Sequence, residues 1–193
     1  MYMTVLKMTR DSILNATDLL DINSSNAVHK WLTNQQDISR AEGKILYKIL
    51  KKDDEIYMYI QSKDRFNLNG LYDYGFVYIK DFEIDNIPEI CSFDVQTFPN
   101  NYDNSKRKRN FIFNINDRYQ WLRNYFQRNG IELLECVEYK QSSILIDKDT
   151  KKFVATASYK GKMRIVDTEK AKDLIENGMG KMKNYGLGLI LFK

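Results

Sequence analysis

A single histidine stands among the 193 residues, in the run NAVHKWL at His29. An imidazole with an ordinary pKa near 6.5 is the side chain best suited to carry protons at neutral pH. What else the chain offers bounds what that imidazole can do. Cys91 and Cys136 are the only cysteines. With one histidine they cannot build the zinc site of a deaminase or a metalloprotease, and two isolated thiols make no disulfide framework. No serine-protease motif surrounds His29, and neither cysteine is near it in sequence. Asp53, Asp54 and Glu55 cluster, but in what reads as an exposed hairpin turn rather than a two-metal nuclease site. A chemistry that does fit one histidine, with no metal and no cofactor, is intramolecular cleavage of RNA, in which the 2′-OH is the nucleophile. At about 100° per residue, Val28, Trp31, Leu32 and Gln35 share one side of a helix. His29 falls on the flank with Ser25, Asn26, Thr33 and Gln36, so it is expected at the edge of the packed face and not in the core. An ordinary surface histidine would show the same pattern.

The second chemical candidate is the C-terminal stretch ENGMGKMKNYGLGLILFK, with Gly178, Gly180, Gly186 and Gly188 around Lys181 and Lys183. It is not a P-loop: no glycine stands five residues before Gly180, and Met182 occupies the Ser/Thr place. It is not a dinucleotide loop: Lys183 stands where the third glycine belongs. Both motifs need a strand before and a helix after, and here the order is reversed, so no helix N-terminus is aimed at a phosphate. Two readings stay open. Either the loop brings backbone close to a ligand while its lysines meet successive phosphates, or it is a glycine-permitted turn before a core strand.

The elements that must position these residues follow from pattern. The sequence is 43% apolar and 13% aromatic, enough to bury a core. No stretch approaches the roughly 20 apolar residues of a membrane span, and the start lacks the order of a signal peptide; the expected location is the cytoplasm. MYMTVLKM reads as a strand, and a helix over about 25–36 follows, with Asn23, Ser24 and Ser25 as candidate caps. KILYKILKK and EIYMYIQS read as strands joined across Asp53 and Asp54. The stretch 64–76 is ambiguous and could hold a short helix, and YIKDFEI is extended. CSFDVQTF and RNFIFNI read as strands around a polar loop, PNNYDNSKRKR. A helix over 117–129 precedes strands at ELLECVEYK, SSILID, FVATASYK and KMRIV. A helix capped by Asp167 and stopped at Gly178 leads to a last strand, LGLILF. The fold class implied is α+β: tandem ferredoxin-like (RRM-like) domains over 1–88 and 89–193, each a sheet with helices on one face.

Charge divides along the chain. Residues 1–96 carry 11 Lys and Arg against 15 Asp and Glu, a net −4, and residues 97–193 carry 19 against 11, a net +8. A basic half on a nearly neutral protein suggests a polyanionic partner, nucleic acid first, although a solvated lysine surface gives the same count.

The tail YKGKMRIVDTEKAKDLIENGMGKMKNYGLGLI resembles the closing segment of the CasE family, the endoribonucleases that process repeat RNA in type I-E CRISPR systems. MYMTVLKM with NAVHKWL is similar to that family's opening strand and histidine helix, and KDFEI, FDVQTFPN and KRKR to its inter-domain stretch. The resemblance implies two ferredoxin-like domains and a metal-independent cut at the base of a CRISPR repeat RNA hairpin. Attack by the 2′-OH would leave a 2′,3′-cyclic phosphate. The partners implied are the hairpin and the other subunits of the Cascade effector complex, with no membrane. By position His29 matches the catalytic histidine and Lys181 the basic residue of the glycine loop. Asn26 stands where the family often has tyrosine, and an amide cannot transfer a proton as a phenol can. Lys30 is a candidate for stabilising the phosphorane charge. Lys106, Arg107, Lys108 and Arg109, with Lys151, Lys152, Lys160, Lys162, Arg164, Lys181 and Lys183, are candidates for the RNA, and Tyr102 for stacking on a base. A non-catalytic RNA-binding subunit would share the fold and the charge without needing the histidine.

Overall fold

The computed structural model describes residues 1–9, 24–35, 45–53, 55–69, 76–83 and 87–193. The chain forms two compact units: residues 1–85, 145–153 and 184–186 make the first, and residues 86–144, 154–183 and 187–193 the second. Among the described residues, no helix is long and apolar enough to cross a membrane.

In the first unit, strands β1 (Tyr2–Thr9), β2 (Leu46–Lys52), β3 (Glu55–Ser62) and β4 (Phe76–Glu83) make one sheet in the order β2-β3-β1-β4. Every neighbouring pair is antiparallel. Alternate side chains point to one face: Leu6 and Met8 of β1, Tyr47 of β2, Ile56, Met58 and Ile60 of β3, and Phe76 of β4. Helix α1 (Ser25–Gln35) lays Val28, Trp31 and Leu32 on that face. Trp31 stacks on Phe76 with ring centroids 5.3 Å apart. The opposite face is covered too, since Met3, Val5, Leu46 and even Lys48 are under 5% exposed. Glu55 belongs to β3 and pairs with Lys7, rather than lying in the turn with Asp53. Residues 63–69 are not helical; the rest of the expected short helix, and the caps and turn at Asn23, Gln36 and Asp54, lie outside the described residues.

The second unit holds two helices, a two-stranded hairpin and a four-stranded sheet. Its sheet runs β10-β5-β9-β8, from β5 (Ile90–Thr97), β8 (Ile131–Asp147), β9 (Lys152–Ile165) and β10 (Ile190–Phe192). Helix α2 (Ile115–Arg128) lies between β5 and β8 in sequence, and α3 (Thr168–Asn177) between β9 and β10. Leu122 and Phe126 of α2 and Ala171, Leu174 and Ile175 of α3 are buried, with Phe126 edge-on to Phe93 of β5 at 5.2 Å.

Several elements differ from the sequence pattern, each for a local reason. The four strands expected over 132–166 are two long ones. Gly161 does not break β9 but lets β8 pass close by: a Cβ there would sit 1.9 Å from the Glu135 carbonyl oxygen. The strand RNFIFNI ends at Phe111 because Asn114 caps α2, its side chain accepting from the N–H groups of Asn116 (2.8 Å) and Asp117 (3.2 Å). The helix therefore starts at Ile115, two residues early. The polar loop is a hairpin, β6 (Asn100–Asp103) against β7 (Lys108–Phe111). The last strand is three residues long, and α3 begins and ends at Asp167 and Gly178 as read.

Arg118 fixes the start of α2. Its guanidinium forms a two-pronged pair with Glu138 of β8, Nε to Oε2 at 2.7 Å, and donates to the Ile112 carbonyl at 3.1 Å. Both side chains are about 95% buried, and the carboxylate holds the guanidinium above its already high pKa. Removing one partner of such a pair strands a buried charge. Glu138→Ala is expected to lower unfolding free energy by about 3 kcal/mol or more, read from urea denaturation.

Candidate nucleolytic site

Three first-unit segments converge at the N-terminal turn of α1. Ser24 precedes the helix, and its carbonyl accepts the first helical bond from the Val28 N–H at 3.1 Å. Its hydroxyl is used elsewhere, donating to the Ile146 carbonyl at a long 3.5 Å. Tyr47 of β2 donates its hydroxyl to the Ser25 carbonyl at 2.9 Å. Tyr47 is 2% exposed, and burial, with Tyr185 nearby, pushes its phenol far above the usual tyrosine range. It stays a neutral donor. Gly186 packs flat on the same ring: it sits at φ +79°, and a Cβ would lie 2.8 Å from Tyr47 Cε2. Any larger residue there would displace the ring that holds α1.

His29 is 2% exposed. The expectation of an imidazole at the edge of the packed face is corrected: α1 is buried over more than one stripe, with Val28, His29, Trp31, Leu32 and Thr33 all covered. Thr33 donates its hydroxyl back to the carbonyls of His29 (3.1 Å) and Lys30 (2.9 Å). Lys30 and Asn34 are the exposed residues of the helix.

One turn before His29, Asn26 lines an open cleft of about 500 Å³ with Ile146, Asp147, Thr150, Lys152 and Tyr185. Residues three apart on a helix are neighbours, so the cleft begins beside the histidine position. Asp147 Oδ1 accepts from the Thr150 N–H and hydroxyl, both at 2.9 Å. Those bonds, with the Lys30 charge adding a smaller pull, hold the carboxyl below its usual range. Tyr185 ends a 3₁₀ turn, Lys183–Tyr185, directly before Gly186.

The other sequence candidates lie in the second unit. Lys106 and Arg107 form the tip of the β6–β7 hairpin, where Asp103 accepts from the Ser105 and Lys106 N–H groups. Lys108 and Arg109 are on β7, all four basic side chains are exposed, and Arg109 covers the Tyr102 ring at 5.4 Å. Lys160, Lys162 and Arg164 share one face of β9, but with partners: Lys160 lies over Tyr139 at 5.5 Å, Lys162 reaches Glu135 at 3.1 Å and Arg164 reaches Glu132 at 2.8 Å. Lys183 donates to the Asn177 carbonyl at the end of α3 (2.7 Å), and Lys181 is exposed. Gly178 ends α3 at φ 73°. Gly180 donates its N–H to the Tyr125 hydroxyl at 3.0 Å. Gly188 lets the backbone close on itself, for a Cβ there would meet the Met179 carbonyl oxygen at 2.2 Å. The close approaches at Gly180, Gly186 and Gly188 are therefore to the protein's own groups. Tyr47, Asp147, Thr150 and Tyr185 were not singled out from sequence. The D-x-x-T spacing of Asp147 and Thr150 is a turn signal that points to the second pair, whereas nothing local marks Tyr47.

Two sheets of like strand order, a covered histidine helix and an open cleft at its first turn describe an α+β protein. The chain belongs to the CRISPR associated protein family, whose sequence profile matches residues 1–193. No curated protein matches it in sequence. Among solved structures, Thermus thermophilus Cse3 bound to an RNA representing a pre-cleavage complex is 17% identical, with a TM-score of 0.85 and all of both chains covered. Cas6e from Escherichia coli is 16% identical, TM-score 0.73, covering 100% of this chain and 98% of its own. A chain of a CRISPR RNA-guided surveillance complex is 16% identical, TM-score 0.70, with the same coverage. These likenesses establish a shared α+β fold.

Two outcomes check this geometry. As the only histidine, His29 reports its own burial: carbethoxylation by diethyl pyrocarbonate should be slow in the folded chain and reach the free-imidazole rate only in denaturant. Equal rates in both would contradict a covered ring. Thr150→Val should move the Asp147 carboxyl up toward about 3.9, read by carboxyl ¹³C NMR; because the native value is depressed, the stability it contributes is present above that unfolded value and lost as pH falls through the native one.

Proposed function

We propose that this chain is a metal-independent endoribonuclease that binds the stem-loop of CRISPR repeat RNA and cuts at the base of the stem, working in the cytoplasm with the Cascade effector complex. Family membership over the whole chain supports this, as does the likeness to Cse3 bound to RNA. So does the strand order: numbered within each unit, both sheets read 4-1-3-2 around a β-α-β-β frame, which we read as tandem ferredoxin-like domains, the first carrying the histidine helix. The observation that carries the reading is the single histidine standing one helical turn from a cleft that holds an amide, a phenol and a lysine.

In this mechanism the 2′-oxygen attacks the adjacent phosphorus as its proton leaves. The bond from phosphorus to the 5′-oxygen breaks, and that oxygen takes a proton. The products are a 2′,3′-cyclic phosphate and a 5′-hydroxyl. His29 serves one of the two transfers, as base toward the 2′-OH or as acid toward the leaving oxygen, since one imidazole cannot hold both protonation states at once. Lys30, exposed on the same helix, stabilises the extra negative charge of the phosphorane. Asn26 offers a hydrogen bond but no proton. Because His29 is 2% exposed, RNA meets the imidazole in this mechanism only where the ring is uncovered. Lys106, Arg107, Lys108 and Arg109 hold phosphates of the stem, which A-form geometry presents for shape and backbone contact.

The same burial favours a second reading, a non-catalytic RNA-binding subunit of the ribonucleoprotein. A labelled repeat hairpin incubated in EDTA separates the two. The nuclease reading expects a single cut whose upstream fragment ends in a cyclic phosphate, and no cut when the nucleotide at that position carries 2′-deoxyribose. Intact hairpin, bound but uncut, supports the structural subunit. Replacing Lys106, Arg107, Lys108 and Arg109 by alanine should flatten the plot of log affinity against log salt by about one unit for each phosphate those side chains neutralise. An unchanged slope would remove the β6–β7 hairpin from the RNA interface.

A further inference from the structure

We propose that the cleft beside Asn26 is a subsite for one unpaired nucleotide next to the cleaved phosphate, and that it selects a base with an exocyclic amino group. This rests on the nuclease reading and adds a specificity that neither the family nor the fold supplies. The cleft's volume, about 500 Å³, lies within the roughly 300–1,000 Å³ of small-ligand sites.

Its walls divide by chemistry. Tyr185 provides an aromatic ring, the usual platform for an unstacked base. Lys152 provides a cation for a phosphate. Asn26 provides an amide that both donates and accepts. Asp147 decides the kind of ligand. A carboxylate repels a bare phosphate, but it accepts readily from an amino group. Its Oδ1 accepts from the Thr150 N–H and hydroxyl, and the Asp149 N–H also bonds the carboxylate; with about four lone-pair sites, the group can accept one more donor. Lys30 offsets part of the carboxylate's charge, which lessens its repulsion toward the nearby RNA backbone. Adenine, cytosine and guanine each carry an exocyclic amino group. Uracil presents carbonyl oxygens in those places and would face the carboxylate with like partial charge. A paired base has its Watson–Crick edge occupied and both faces stacked, so the occupant must be single-stranded. The backbone that carries the ring is also held: Tyr185 is followed by Gly186, which packs against buried Tyr47. The subsite is therefore built on the same side chain that fixes the start of α1.

The experiment is equilibrium binding of a repeat hairpin with single-stranded flanks, protected from cleavage by 2′-deoxyribose at the mapped cut. Tyr185→Ala should weaken binding about tenfold or more, in the range measured for base–aromatic stacks, and Tyr185→Phe should bind tighter than Tyr185→Ala. An abasic site at one nucleotide flanking the cut should cost the wild type as much, and should cost Tyr185→Ala nothing further. Asp147→Asn should narrow the preference for adenine, cytosine or guanine over uracil at that nucleotide. If Tyr185→Ala binds like the wild type, or its effect adds to that of an abasic site at every single-stranded position, the subsite is wrong while the nuclease reading stands. If the wild type binds no hairpin, both fall.

Discussion

One hydrogen bond organises the first unit: the buried hydroxyl of Tyr47 donating to the carbonyl of Ser25. It ties β2 to the first turn of the only helix that carries a histidine. The same ring is the floor on which Gly186 rests, so the position of Tyr185 and the start of α1 are set by one side chain. A phenol so buried keeps its proton at any physiological pH, and the tie therefore does not titrate. That permanence suits the proposed chemistry, which depends on where a helix begins. A shift of one residue in α1 would turn Asn26, His29 and Lys30 by about 100°.

Burial of His29 is a cost as well as a placement. A covered imidazole is shielded from water, which strengthens any electrostatic interaction it makes, but it is also shut off from any polymer. The glycine segment takes a similar course. Its positive φ angles and close approaches meet the protein's own backbone, Thr97 and Tyr47, and in the proposed site it places the backbone at Tyr185. The basic residues likewise divide into two sets. Lys106 and Arg107 project at the exposed turn of the β6–β7 hairpin and Arg109 of β7 donates to Asn100 (3.0 Å), whereas Lys162 and Arg164 of β9 are matched by glutamates of β8. A charge count cannot tell a phosphate ligand from half of a surface ion pair.

Much of the fold was legible because its signals are local. Alternation in EIYMYIQS marks β3 as Glu55–Ser62, and α3 is bounded by Asp167 and Gly178, whose side-chain cap and positive φ are properties of single residues. Where the sequence reading failed, the deciding term was tertiary. Gly161 looks like a break and is a close crossing of two strands. Helical periodicity finds the stripe of Val28, Trp31 and Leu32 but cannot say how wide the covered face is, and so it left His29 at an edge. Residues 145–153 and 184–186 belong with the first unit, and no composition change marks either stretch. Thus the histidine, Asn26 and Lys152 could be named from sequence, while the cleft that Asn26 and Lys152 share with Ile146, Asp147, Thr150 and Tyr185 could not.

All of the proposed chemistry turns on that histidine. Single-turnover cleavage of a repeat hairpin in EDTA, comparing the wild type with His29→Ala at saturating protein, reads it most directly. The rate should fall by about 10²–10⁴-fold, the value of a positioned proton-transfer group, while the dissociation constant for the hairpin stays within about twofold. An alanine variant that cuts at the wild-type rate would show that the imidazole takes no part, and that α1 serves the fold alone.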